Sequence, residues 1–411
     1  MLTRRQFLGL SGGAAITGTA AWLGLFRGGS SSHPTPASGA GDRVLVVVQM
    51  SGGNDALNTL VPLDGRYHDL RPQLGLADDK LVALPGETGF GLHPSLQPLV
   101  SLWNDHQLAI VPDIGFAADS RSHFESLDAW WTASPEHSHA TGWIGRWLDA
   151  SGQGADNPLV AIALGGGSVR ALVSERSQST AVNDLTAFRL TAPKGADAAR
   201  LAQAYAATAT PVSDRPLLAG AQDAVGATLR AVDVLGKVQD ETSVEGDDPS
   251  NAKAGPISSA LAAAASIIDL DLGTRVVLVS GTGFDTHANQ AATQERLLDD
   301  LAKGIVSFTS TLAQRGHADR VLLVTTSEFG RRAAENGSGG TDHGHGGVHF
   351  AVGRGVHAGI HGAVDLAHLA DGDLPAATDT RALYAAALDW LGGPSADVLD
   401  GHTDELHLVA A

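Results

Sequence analysis

Short runs of β-branched and aliphatic residues recur along this chain, and they narrow the folds open to it more than any other feature. "DRVLVVVQM" (42–50), "LAIVPDIGF" (108–116), "NPLVAIALG" (157–165), "TRVVLVS" (274–280) and "DRVLLVTTS" (319–327) are apolar almost throughout. A strand with one wet face alternates polar and apolar residues, whereas a strand covered on both faces does not. Each run is therefore read as a fully buried strand. "VHFAVGRGV" (348–356) reads as a further strand. Helical spacing appears in "HPSLQPLVSLWNDHQ" (93–107), "SRSHFESLDAWWTA" (120–133), "QERLLDDLAKGIVSFTSTLAQRG" (294–316) and "DTRALYAAALDWLG" (379–392). Ser122 followed by Glu125 predicts an N-terminal capping pattern on the second of these. Strands alternating with helices imply an α/β fold, a mostly parallel central sheet with helices on both faces.

The chain has 411 residues, 43% hydrophobic and 18% charged, which places it among folded globular proteins. The expected organisation is one α/β domain over 41–411, with an Ala-rich helical insertion around 183–270 that contains a polar loop at 241–256. The chain opens "MLTRRQFLGLSGGAAITGTAAWLGLF", with Arg4 and Arg5 adjacent and a mildly apolar run behind them. This resembles a twin-arginine export signal, with a linker and a cleavage point after Ala40. The other reading is a membrane anchor, but the run is short and broken by Gly and Thr, so no stable transmembrane span is expected in the mature chain. The expected location is periplasmic or extracellular.

The formal net charge is -18. Residues 1–40 hold three arginines and no acid, so the remainder carries 24 basic against 45 acidic residues, a net of -21. That disfavours nucleic acid as a partner, because phosphate backbones need clustered Lys and Arg. A small anionic substrate stays open, since a bound cation inverts the local charge. The absence of cysteine removes disulfides, thiolate ligands, a cysteine nucleophile and lipid attachment through Cys.

In parallel α/β sheets, ligands sit beyond the carboxyl ends of the strands. The polar residues follow that rule. Asp55 comes after the first strand, and Ser120, Arg121, Ser122 and His123 after the second. Asp285 and His287 follow "RVVLVS", and Glu328 follows "RVLLVTTS". The Gly-rich segment "SEFGRRAAENGSGGTDHGHGG" (327–347) adds Asp342, His343 and His345. Imidazole and carboxylate together suit Zn, Mn, Fe or Ni, with Zn or Mn favoured here, and glycine lets several side chains turn toward one point. Each residue also has a structural use. Asp55 can cap a helix, Asp285 can form an Asx-turn, Glu328 can pair with Arg331 or Arg332, and Ser122 can be an N-cap. The segment itself can be a solvated loop. His93, His106, His137, His139 and His317 are read as surface or supporting residues.

"SGGNDALNTLVP", "FGLHPSL", "SRSHFESLDAW", "GWIGRWLD", "FDTHANQ", "SEFGRRAAENGSGGTDHG" and "DGDL" together resemble the family called domain of unknown function 1501. That family looks related to the alkaline phosphatase and sulfatase superfamily. The resemblance implies an alkaline-phosphatase-like sandwich with a divalent metal site. Asp55, Asp285, His287, Glu328, Asp342, His343 and His345 would be its ligands. Ser122, or alternatively Ser120, would be the nucleophile, with Arg121 contacting an anionic group and His123 supporting it or acting as an acid. This chain departs from the superfamily in carrying Glu328-Phe329 where Asp-His is usual, and it lacks the sulfatase activation motif. The resemblance implies an exported metal-dependent hydrolase of phosphate or sulfate esters. The alternative is a non-catalytic exported protein that binds a partner or envelope polysaccharide on the same fold.

Overall fold

The computed structural model describes residues 42–116, 120–154, 157–165, 169–182, 189–190, 197–208, 256–403 and 405–410, with 16–17 and scattered positions between 218 and 232. The expected signal segment, 1–40, lies outside the described residues apart from Ile16–Thr17. The polar loop expected at 241–256 lies outside them up to Pro256. Within the expected insertion, helices at Ala198–Thr208 and Pro256–Asp269 are described.

The apolar runs form the central sheet. Its strands are β1 (Val44–Ser51), β2 (Leu108–Gly115), β3 (Ala161–Leu164), β4 (Thr180–Val182), β5 (Val276–Thr282), β6 (Val321–Thr326) and β7 (Gly347–Val352). Two short edge strands complete it, β8 (Gly359–Ile360) and β9 (Thr378–Asp379), both paired with β2. The order across the sheet is β8-β2-β7-β6-β1-β5-β3-β4. β1 pairs in parallel with both β5 and β6, and β3 and β4 extend the parallel array. β7 pairs antiparallel with both β6 and β2. A second, three-stranded antiparallel sheet at Leu60–Pro62, Val82–Ala83 and Phe90–Leu92 was not apparent in the sequence.

The main sheet is covered on both faces, which is why its strands are apolar without alternation. Val44, Val46, Val48 and Met50 of β1 face one core, with α3 (Pro256–Asp269) and α4 (Gln290–Gln314) packed over them. Leu45 and Val47 face the other, under α1 (His123–Thr132), α2 (Trp143–Ser151) and α5 (Thr380–Trp390). The period of two along β1 divides the molecule into these two layers. Fully burying each such aliphatic side chain contributes about 1.5–3 kcal/mol. The segment expected as a helix over 93–107 is two pieces. A 3₁₀ turn, Pro94–Leu99, leads into a short helix, Val100–Asn104, because Pro98 cannot donate to a helical ladder. Among the described residues, no helix is long and apolar enough to cross a membrane.

The topology sets the position of everything that follows. β1, β2, β5 and β6 end at one edge of the sheet. β7 runs the other way, so it starts at that same edge, and the Gly-rich loop between β6 and β7 stays there.

Candidate metal centre

Three histidines, one opening α1 and two from separate loops, point into one place. In each, the outer ring nitrogen is fixed by an acceptor. His343 Nδ1 lies 2.9 Å from the main-chain oxygen of Arg121. His287 Nδ1 lies 3.0 Å from Asp342 Oδ1, and His123 Nδ1 lies 3.0 Å from Glu328 Oε1. Carbonyl and carboxylate oxygens only accept, so each Nδ1 carries the hydrogen. In the neutral rings, each Nε2 then carries a lone pair.

These Nε2 atoms converge on Asp285. His287 Nε2 is 2.9 Å from His343 Nε2. Both stand 3.1 Å from Asp285 Oδ1. His123 Nε2 is 3.4 Å from Asp285 Oδ2. Electron pairs on neighbouring acceptors repel unless a cation lies between them. The three atoms His287 Nε2, His343 Nε2 and Asp285 Oδ1 form a near-equilateral triangle with edges of 2.9, 3.1 and 3.1 Å. Zinc–nitrogen bonds of about 2.0–2.1 Å in a tetrahedral site imply ligand-to-ligand edges of roughly 3.3 Å. The donor set and its spacing therefore fit a small divalent transition ion. His123, Asp285 and His343 form a further grouping, with candidate ligand atoms all within 4.8 Å of one another.

The chain holds this cluster with buried cations and backbone. Arg331 is fully buried, and its guanidinium donates to Asp285 Oδ1 at 2.7 Å, Phe284 O at 3.0 Å, Thr341 O at 2.9 Å and Gly53 O at 2.7 Å, and also to Gly52 O. Although desolvation opposes it, the Arg331 guanidinium holds the Asp285 carboxyl down at about 2. The His343 ring is pushed down, chiefly by desolvation. Hydrogen bonding to Glu328 raises His123. The Asp342 carboxyl is lowered by its hydrogen bonds from His287 and Asn336.

Glu328 is buried. Its Oε1 accepts from Gly52 N–H at 2.7 Å as well as from His123, and its Oε2 has no hydrogen-bond partner among the described residues. The pairing with Arg331 or Arg332 considered for it is not formed; Arg331 goes to Asp285. Phe329 is also buried and packs its ring against His343 and His123, at 4.4 and 5.0 Å between centroids.

The remaining expected site residues lie in other contacts. Asp55, expected among the ligands, caps the short helix Ala56–Thr59 and forms a buried ion pair with Arg71 at 2.5 Å. His345 stands beside Asp373, with Nε2 3.9 Å from Oδ2. Arg121 reaches the same carboxylate at 2.7 Å and Asp371 at 3.3 Å. Ser122 occupies the N-cap of α1 but makes no side-chain capping bond among the described residues; its N–H donates to Ser120 Oγ. Arg121 adopts a left-handed backbone, with φ of 60°, which is uncommon for a non-glycine residue. His93, read as a surface or supporting residue, is buried and caps the turn that begins at Pro94. Arg71, Gln290 and Asp373 escaped the reading of the sequence, and Arg331 entered it only as a partner for Glu328, because nothing local marks a buried polar side chain.

A family model described as "Protein of unknown function (DUF1501)" matches residues 90–407. No curated protein matches the sequence. Among solved structures, the chain is similar to the lipoteichoic acid synthase LtaP from Listeria monocytogenes, at 9% identity over 90% of this chain and 77% of that one, with a TM-score of 0.39. It is also similar to the alkaline phosphatase from the Antarctic bacterium TAB5, at 10% identity over 77% of this chain and 94% of that one, with a TM-score of 0.31.

Proposed function

The chain belongs to the DUF1501 family, and from its own site we propose that it is an exported metal-dependent hydrolase of phosphate or sulfate esters. One observation carries the reading. The Nε2 atoms of His123, His287 and His343 all meet the Asp285 carboxylate, and every outer nitrogen already faces an acceptor. Partners of this kind fix the tautomer and raise the basicity of metal-bound imidazole.

His287, His343 and Asp285 would hold the ion, with His123 and Glu328 at its side. A bound divalent ion supplies Lewis acidity and lowers the pKa of an attacking hydroxyl or water. The chain supplies the rest. Ser122 lies between Arg121, whose carbonyl fixes His343, and His123, so it is the candidate nucleophile. Arg121 carries its guanidinium at the same edge and would face the anionic group of the ester. Arg4 and Arg5 support export by the twin-arginine route.

A second reading, a non-catalytic exported binding protein, is favoured by Phe329. That ring stands against two of the histidines and cannot ligate a metal.

The deciding experiment uses the mature protein purified after export. Bound metals are measured by elemental analysis, and hydrolysis of p-nitrophenyl phosphate and p-nitrophenyl sulfate is followed with Zn²⁺ or Mn²⁺ added. Near-stoichiometric metal with turnover that is lost in His343→Ala is expected. Stoichiometric metal without turnover of either ester would favour the binding-protein reading. Absence of metal uptake would end the hydrolase reading.

A further inference from the structure

Asp55 and Arg71 form a fully buried ion pair, and the contacts around it run outward to both loops that carry the triangle. Arg71 donates to Asp55 Oδ1 at 2.9 Å and Oδ2 at 2.5 Å, and to Asn58 Oδ1 at 2.7 Å. Its other contacts are with the Gly-rich loop. Nε donates to Ala333 O at 2.9 Å, and Nη2 to Arg332 O at 3.0 Å.

The second branch passes through Gln290, which is also fully buried. Its Nε2 donates to Asp55 Oδ2. Its Oε1 accepts from Thr341 Oγ1 at 2.6 Å and from Thr286 Oγ1 at 3.1 Å. Thr341 immediately precedes Asp342 and His343. Thr286 lies between Asp285 and His287. One carboxylate thus ties down, within two bonded contacts, the backbone beside all three corners of the triangle.

A buried ion pair of this kind is weak evidence for stability, because desolvation offsets much of the attraction. Its geometric effect is the better account. A metal site requires its ligands to be held in position before the ion arrives, by packed residues behind them. We propose that Asp55, Arg71 and Gln290 are positioning residues that preset the metal-ligand loops, Asp55 acting through hydrogen bonds rather than as a ligand. This inference rests on the metal site proposed above.

The test is metal affinity, measured by titrating Zn²⁺ and Co²⁺ into the full-length protein against a chromophoric chelator. The visible spectrum of the Co²⁺ form reports ligand geometry. Thr341→Val removes one hydroxyl and keeps the shape, and Gln290 Oε1 retains its bond from Thr286, so it is the milder variant. Gln290→Leu removes the whole bridge. Both variants are expected to bind about 10–100-fold more weakly, the usual loss when a supporting partner of a ligand is removed. Their Co²⁺ spectra should shift, and Thr341→Ser, which keeps the hydroxyl, should restore wild-type binding. Should Gln290→Leu fail to fold, Thr341→Val decides alone. Wild-type affinity and an unchanged Co²⁺ spectrum in Thr341→Val would overturn the inference while leaving the metal site standing. A wild-type protein that takes up neither ion would overturn both.

Discussion

His287 and His343 face each other nitrogen to nitrogen, with their Nε2 atoms 2.9 Å apart, and each donates its Nδ1 hydrogen away from the other. Neither neutral ring has a hydrogen to place in the gap. Removing one of them should therefore cost metal binding far more than it costs folding. His343→Ala is expected to lose high-affinity Zn²⁺ binding and to change metal-free stability by about 1 kcal/mol or less, as for a partly exposed side chain. Calorimetric metal titration and a chemical melt in chelator check the two halves separately.

Arg331 should behave in the opposite way. Its guanidinium reaches four main-chain carbonyls and Asp285 from a fully buried position. A lysine has three donors on one nitrogen and cannot span that fork. Each carbonyl left without a partner costs about 1–3 kcal/mol. Arg331→Lys should destabilise the metal-free protein by roughly 2–4 kcal/mol and weaken metal binding too. Urea unfolding with and without Zn²⁺ measures both, and a variant as stable as the wild type would refute this role.

Gly52 turns the chain as it leaves β1. Its φ is +122°, and a Cβ there would stand 2.2 Å from the backbone nitrogen of Asp285. Its N–H also donates to Glu328. Gly52→Ala combines a forbidden conformation with a backbone collision, so it should cost more than about 1 kcal/mol and displace Asp285. Low soluble yield together with lost metal binding is the expected outcome; a variant matching the wild type in both would contradict it.

His349 supplies a pH test away from the metal. It is buried on β7, edge-on to Trp130 at 5.2 Å, and neither ring nitrogen has a hydrogen-bond partner among the described residues. Desolvation pushes its pKa down to about 3. Between that value and the ordinary 6.5, the unfolded chain binds a proton that the folded chain refuses. Stability attributable to this group is therefore complete above 6.5 and declines as pH falls toward 3, by up to about 1.4 kcal/mol per pH unit. His93, lowered to about 4 by burial, adds in the same direction. His349→Leu should gain stability relative to the wild type as pH falls from 7 to 5. Thermal melts across that range check it, and a pH-independent difference would show that the ring is protonated or hydrated in the native state.

The sequence by itself determined the architecture. Runs such as "VLVVVQM" can be buried only on both faces, so they dictated a covered, mostly parallel sheet, and the strand ends dictated where polar residues would gather. Asp285, His287, Asp342, His343 and Glu328 were legible because each follows a strand directly or sits in a glycine-rich turn. The antiparallel course of β7 was not legible, since a buried strand carries no sign of its direction. Nor was the division of labour among the acids. Asp55 and Asp285 look alike in sequence, each an Asp a few residues beyond a buried strand. Tertiary structure gave Asp55 to Arg71 and Gln290 inside the protein, and left Asp285 at the rim among three imidazoles. Partners so distant along the chain, Arg71 against Ala333 or Gln290 against Asp55, are chosen by packing in three dimensions, and no local pattern encodes them.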